Sequence, residues 1–328
     1  MIMIRVATIG SGFIVDWFLN AVSQNEGIEC VAMYTRNRKN SEGLANQYHI
    51  DTIYTDLDEM LAQPNIDFVY IASPNSLHAP QALKCLKANK HVIVEKPFAS
   101  NIREFEEVVA YATTHHLYLF EAIVTLHMPN YLTLKNRLSE LGPIRMVQCN
   151  FSQYSSKYDK FKAGELPNVF NPAFSGGAMA DISIYNLHFT IGLFGTPKSV
   201  HYFANKHANG IDTSGVCILE YDGFHAVCVG AKDTRSKCIA QIQGENGYAL
   251  VESETSRVAH LDFVMNQQVE HLTIEQNDIA LYYEVKEFVE IFEKDDYDAC
   301  LAKLAHSREV MKVFEAARKS ANIVYDAD

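Results

Sequence analysis

From residue 2 to about 121, short apolar runs alternate with stretches of helical periodicity, and that alternation restricts this part of the chain to β-α-β units forming a parallel sheet. Residues 4–9 read as a buried strand, after which Ile14, Trp17, Phe18, Ala21 and Val22 fall on one helix face. Further strands are predicted at 28–34, 68–72, 91–95 and 117–121. Helices are predicted at about 42–48, 57–62, 77–89 and 101–115, with Ser41, Asp56 and Ser100 where N-caps belong.

Beyond about residue 121 the pattern changes. β-rich stretches at 144–154, 199–205, 214–221, 225–231, 237–243 and 247–251 follow one another with short turns, which predicts an antiparallel sheet. Helices are expected at about 177–194, 278–294 and 299–320. With 328 residues the chain has the length of two domains. The expected fold class is α/β: a dinucleotide-binding Rossmann domain over 1–121, then an α+β domain over 122–328 with a largely antiparallel open sheet. The terminal helices are free to pack back on the first domain.

A formal charge of -12 repels a phosphate backbone or an anionic bilayer, so neither nucleic acid nor membrane is an expected partner. No apolar run approaches the ~18 residues of a membrane span. The seven cysteines are scattered and never spaced as Cys-x-x-Cys, which reads as reduced thiols and no metal site. The N-terminus carries no leader pattern. A cytoplasmic protein is expected.

Gly10-Ser11-Gly12-Phe13-Ile14-Val15 joins the first strand to the first helix, where glycines permit a tight turn and close approach of a pyrophosphate to the helix N-terminus. Val15 takes the place of a third small residue and is expected to hold the helix slightly off the sheet. At the end of the second strand, an acid would bind the ribose diol of NAD. Here the stretch is Tyr34-Thr35-Arg36-Asn37-Arg38-Lys39, which favours NADP, with NAD the alternative.

Two further strands end in Ala72-Ser73-Pro74-Asn75-Ser76-Leu77-His78 and Glu95-Lys96-Pro97, at the carboxyl edge where such sheets bind ligands. Ser73, Pro74, Asn75, His78, Glu95 and Lys96 are therefore cofactor-edge candidates, beside Gly10, Gly12, Phe13, Ile14, Thr35, Arg36 and Arg38. Later, Gly176-Gly177 opens a helix that sets Asp181, Tyr185 and His188 at i, i+4 and i+7 on one face.

Taken in order, the strand-one Gly-x-Gly, Pro-Asn-x-x-His, Glu-Lys-Pro and Gly-Gly-x-x-x-Asp-x-x-x-Tyr resemble the Gfo/Idh/MocA family of glucose–fructose oxidoreductases, inositol dehydrogenases and rhizopine-catabolism proteins. Phe120-Glu121-Ala122 and the segment 304–311 are similar to the dimeric dihydrodiol dehydrogenase branch. Leu126 stands where that branch tends to have arginine, and Ser183 replaces a frequent glycine. The resemblance implies an NAD(P)-dependent oxidoreductase moving a hydride between a nicotinamide and an alcohol or carbonyl of a small sugar, polyol or diol. It assigns catalysis to Lys96, Tyr185 and Asp181; Lys96, Tyr185 and, from its place on the same helix face, His188 are the candidate substrate contacts. It also implies a homodimer or homotetramer formed through the C-terminal sheet. Proton transfer requires a group tuned toward neutral pH. Tyr185 is the expected carrier with Lys96 as its cationic partner, while the reverse assignment stays open. A catalytically silent nicotinamide-binding regulator on the same fold is the alternative function.

Overall fold

The computed structural model describes residues 3–328. In chain order its elements are β1 (Ile4–Ile9), α1 (Phe13–Gln24), β2 (Ile28–Tyr34), α2 (Glu42–Gln47), β3 (Thr52–Tyr54), α3 (Leu57–Leu61), β4 (Phe68–Ile71), α4 (His78–Lys87), β5 (His91–Glu95), α5 (Ile102–Thr114), β6 (Leu119–Ala122), α6 (Pro129–Arg137), β7 (Ile144–Ser152) and α7 (Tyr158–Lys162). There follow α8 (Ile184–Phe194), β8 (Ser199–Lys206), β9 (Asp212–Tyr221), β10 (Phe224–Ala231), β11 (Ile239–Gly244), β12 (Gly247–Val251), β13 (Leu261–Met265), β14 (Gln268–His271), α9 (Leu281–Glu293) and α10 (Tyr297–Ser320).

The chain divides into two compact units: Met1–Ala122 with Asn277–Ser307, and Ile123–Gln276 with Arg308–Asp328. In the first, six parallel strands run in the order β3-β2-β1-β4-β5-β6. This is the doubly wound arrangement, whose switch point lies between β1 and β4. The central strands are mostly apolar because both faces are covered: Phe18 of α1 stacks on Tyr70 at 3.7 Å, and Phe288 of α9 stacks on Phe120 at 4.4 Å. Short β3, outside the predicted set, pairs with β2 through only three residues.

The second unit holds an eight-stranded sheet ordered β14-β13-β12-β11-β7-β10-β9-β8. Most neighbours are antiparallel, as predicted, but β7 and β10 run parallel. Between those two strands the chain passes through α8 and returns along β8 and β9, and this crossover fixes their common direction. Helix α6 and strands β13 and β14 were not foreseen. One face of this sheet is sealed. Cys149, Cys228 and Cys217 lie side by side in register on β7, β10 and β9, all buried, with Thr190 of α8 above Cys149 and Cys228 at 3.9 and 3.7 Å.

Candidate functional site

At the carboxyl edge of the first sheet, the two glycines after β1 have different reasons to be glycine. Gly10 has φ +119°, and a Cβ there would stand 2.7 Å from the Ala72 carbonyl at the end of β4. The fold itself excludes a side chain at that point. Gly12 caps α1 with φ -83° and ψ 179°, makes no side-chain cap, and a Cβ there would meet nothing within 4 Å. Its open surface, beside free N–H groups of a 12-residue helix, is what an approaching phosphate needs, so these residues fit a bound dinucleotide. Val15 is fully buried and fills the space between α1 and the Gly10 turn. Ile14 is half-buried, and Phe13 is 74 % exposed, edge-on to Trp17.

After β2, Thr35 turns inward: its N–H donates to Tyr54 O at 3.1 Å and its hydroxyl to Asn37 O at 3.3 Å. Arg38 donates to Ile53 O at 3.4 Å and lies 3.9 Å from Glu42. Arg36 is exposed and, among the described residues, has no ion-pair partner. Lys39 is likewise exposed and, among the described residues, without an ion-pair partner.

The exits of β4 and β5 are fastened to each other. His78 is buried, with Nδ1 2.9 Å from Pro97 O and Nε2 2.9 Å from Ser73 O. Burial lowers its pKa, while the two carbonyls pull the other way. Its ring therefore staples two loops together at the edge where a cofactor contact was expected of it. Ser73 donates to Gln81 at 2.7 Å, and Pro74 and Asn75 stand half-buried before α4.

Glu95, also expected at the cofactor edge, is likewise an interior group, accepting from Tyr70 at 2.6 Å and from the Lys96 N–H at 3.2 Å. Burial lifts its pKa to about 7, against the opposing pull of Tyr70 and Lys96. Pro97 has no N–H, and the amides on either side of it are both taken by carboxylates: Lys96 by Glu95 and Phe98 by Glu121 at 2.9 Å. The Lys96–Pro97 peptide is cis. Lys96 itself is half-buried at the strand exit.

In the second unit, Gly176 and Gly177 lead into a π-helical turn, Met179–Ser183, which passes directly into α8. A Cβ on Gly176 would meet Val169 O at 2.6 Å, and one on Gly177, at φ +115°, would overlap Asp212. Asp212 is the anchor that the sequence did not reveal. Wholly buried, it accepts from Met179 N at 2.6 Å and Tyr202 OH at 2.7 Å, while Tyr325 OH donates to Gly176 O at 2.8 Å. Desolvation raises the Asp212 pKa. Further along, Gly230 of β10 has no room for a Cβ because Ser183 sits against it, so the helix lies directly on the strand.

Of residues 178–191, all are buried except Asp181 and Tyr185. These two emerge at the π turn and one turn beyond it, a helix irregularity that often accompanies functional sites. Asp181 is ion-paired with Lys232, a residue absent from the sequence-based set. The Tyr185 ring lies 5.8 Å from Phe151. His188, expected as a substrate contact, is only 1 % exposed and lies in the interior.

Comparison with known proteins gives these two surfaces their context. The model of the oxidoreductase family with an NAD-binding Rossmann fold matches residues 4–122, and the GFO/IDH/MocA C-terminal domain matches residues 131–250. The chain belongs to the Gfo/Idh/MocA oxidoreductase family. The scyllo-inositol 2-dehydrogenase (NADP(+)) IolU of Bacillus subtilis is 36 % identical over 99 % of both chains. The trans-1,2-dihydrobenzene-1,2-diol dehydrogenase of Mus musculus is 25 % identical, also over 99 % of both. In fold, the chain is similar to a 3-ketoreductase from Actinomadura kijaniata, solved with NADP and TDP-benzene, with a TM-score of 0.83 at 19 % identity over 97 % of this chain and 98 % of the other. Like its family, the chain is an oxidoreductase that transfers a hydride to or from a nicotinamide cofactor.

Proposed function

We propose that the chain is an NADP-dependent dehydrogenase or reductase of a small polyhydroxylated alcohol or its ketone, with Tyr185 carrying the proton, Lys96 orienting the substrate oxygen and Asp181 supporting them. The observation behind this reading is that Asp181 and Tyr185 are the two side chains of residues 178–191 that reach the surface. A structural helix face has no reason to expose an acid and a phenol together while burying every neighbour.

A dinucleotide would be held by its pyrophosphate at the Gly12 edge, and when bound its nicotinamide would supply or accept the hydride. As hydride leaves an alcohol carbon, the hydroxyl proton must leave too, and the Tyr185 phenolate takes it; in reduction the phenol gives it back. A phenol ordinarily titrates near ~10, so operation at neutral pH calls for a cation, the part given to Lys96. Arg36 receives the 2′-phosphate, consistent with the cofactor in the name of the Bacillus relative. That relative's substrate makes a cyclic polyol the first to try. Half-buried Val216, Ile218, Val227 and Val229, on the face of the second sheet opposite α8, support a homo-oligomer through that sheet.

The test is steady-state turnover of inositols, sugars and diols with NADP and NAD. Turnover of a polyol with NADP preferred, and a reversal toward NAD in Arg36→Asp, is expected. No turnover of any polyhydroxylated compound, or NAD preferred by the parent, defeats the proposal.

A further inference from the structure

We infer that Lys232 is a positioning residue for the hydride-transfer reaction, fixing the place and the charge of Asp181 beside Tyr185; the inference rests on the assignment of Tyr185 as proton carrier. Lys232 follows β10, and its main chain is gripped from both sides. Its N–H donates to Thr213 O at 2.8 Å and its carbonyl accepts from Ser155 N at 2.9 Å. The side chain, 5 % exposed, reaches Asp181, which is 34 % exposed. The cation is thus inside and the acid at the surface.

Two consequences follow from that arrangement. A buried ammonium requires a counter-charge, so Lys232 keeps Asp181 ionised and holds its carboxylate in one place. Asp181 and Tyr185 are neighbours at i and i+4, and a lone carboxylate there would oppose formation of phenolate. Paired with Lys232, it does so much less. The other titratable groups on these elements are engaged elsewhere or buried. Asp233 accepts from the hydroxyls of Thr213 and Ser214 at 2.7 and 2.9 Å, Asp212 from Met179 N and Tyr202 OH, and His188 lies in the interior. The residue just after β10 therefore supplies the charge that lets an acid and a phenol share one half-buried stretch of helix.

The experiment is a set of pH profiles of kcat for the parent, Tyr185→Phe, Lys232→Met, Lys232→Arg and the double variant Lys232→Met/Asp181→Asn, with folding checked by circular dichroism. Lys232→Met should move the Tyr185-dependent limb up by about one pH unit or more and lower kcat at neutral pH by roughly tenfold, leaving the KM for cofactor little changed. Lys232→Arg, which keeps the charge, should return the limb to its parental position. The double variant should bring the limb back down, because the unpaired carboxylate has gone. If Lys232→Met does not fold, Lys232→Gln is read in the same way. A limb that stays put in folded Lys232→Met, yet vanishes in Tyr185→Phe, overturns the role of Lys232 alone. A limb that survives in Tyr185→Phe, with Lys232 intact, overturns the assignment beneath it.

Discussion

The two units hold the residues proposed for catalysis by opposite means. Lys96 leaves a parallel strand whose supports are near it in the local topology: the adjacent Glu95, Glu121 on the neighbouring strand, and His78 between two loops. Asp181 and Tyr185 stand on a helix whose supports come from far along the chain, in Asp212, Lys232 and the C-terminal Tyr325. The first arrangement satisfies backbone amides around a proline. The second satisfies a helix start and one ion pair. Damage to the first should therefore appear mainly in the cofactor edge, and damage to the second in the stability and ionisation of a helix.

The largest effects should come from the two residues these scaffolds present. Lys96→Met and Tyr185→Phe should each lower kcat by about 10² or more with melting temperature nearly unchanged. Normal turnover in either folded variant would remove that residue from catalysis. Next comes Asp212→Ala, which strips Met179 N and Tyr202 OH of their acceptor and should cost roughly 2 to 3 kcal/mol in denaturant unfolding. A loss below about 0.5 kcal/mol would show that the helix start stands without it.

A sharper comparison lies within the glycine turn. Gly10→Ala should destabilise the protein, since its Cβ would meet Ala72 O at 2.7 Å from a positive φ. Gly12→Ala should leave the melting temperature alone and weaken cofactor binding about tenfold or more, as measured by titration calorimetry. Unaltered binding in Gly12→Ala would mean that the open cap faces no phosphate.

A pH-dependent effect concerns Glu95, whose ordinary pKa of 4.5 rises to about 7 in the folded protein. A group protonated when folded but ionised when unfolded stabilises the protein fully at low pH. That contribution is lost, by up to about 1.4 kcal/mol per pH unit, as pH climbs from 4.5 toward 7. Glu95→Gln cannot ionise, so its unfolding free energy should fall less steeply than the parent's across this window. Parallel slopes would place the Glu95 carboxyl at an ordinary pKa.

What was legible in the sequence follows the same division. The parallel sheet, its glycine turn and the positions of Lys96 and Tyr185 all leave local traces: apolar runs, a glycine pair after a strand, a proline after a lysine. Asp212 and Lys232 leave none, because each acts on a residue 33 and 51 positions away, and sequence spacing says nothing of which strand end faces which helix. The sequence marks His78 and Glu95 as cofactor-edge candidates but does not show that both are buried. A polar residue at a ligand edge serves equally well as a staple inside it, and only burial separates the two roles. The π turn was also invisible, since its five residues carry the same composition as an α-helical turn.

Beneath that helix lies the strip of thiols on β9, β10 and β7. Alkylation requires thiolate and access, and these sulfurs have no access while α8 covers them; burial also pushes the Cys217 thiol well above its usual range. Their labelling rate is accordingly a clock for the lifting of the helix from the sheet. Chemical modification followed by mass spectrometry turns the floor under Tyr185 into a gauge of how often that part of the enzyme opens, with no probe added to the chain.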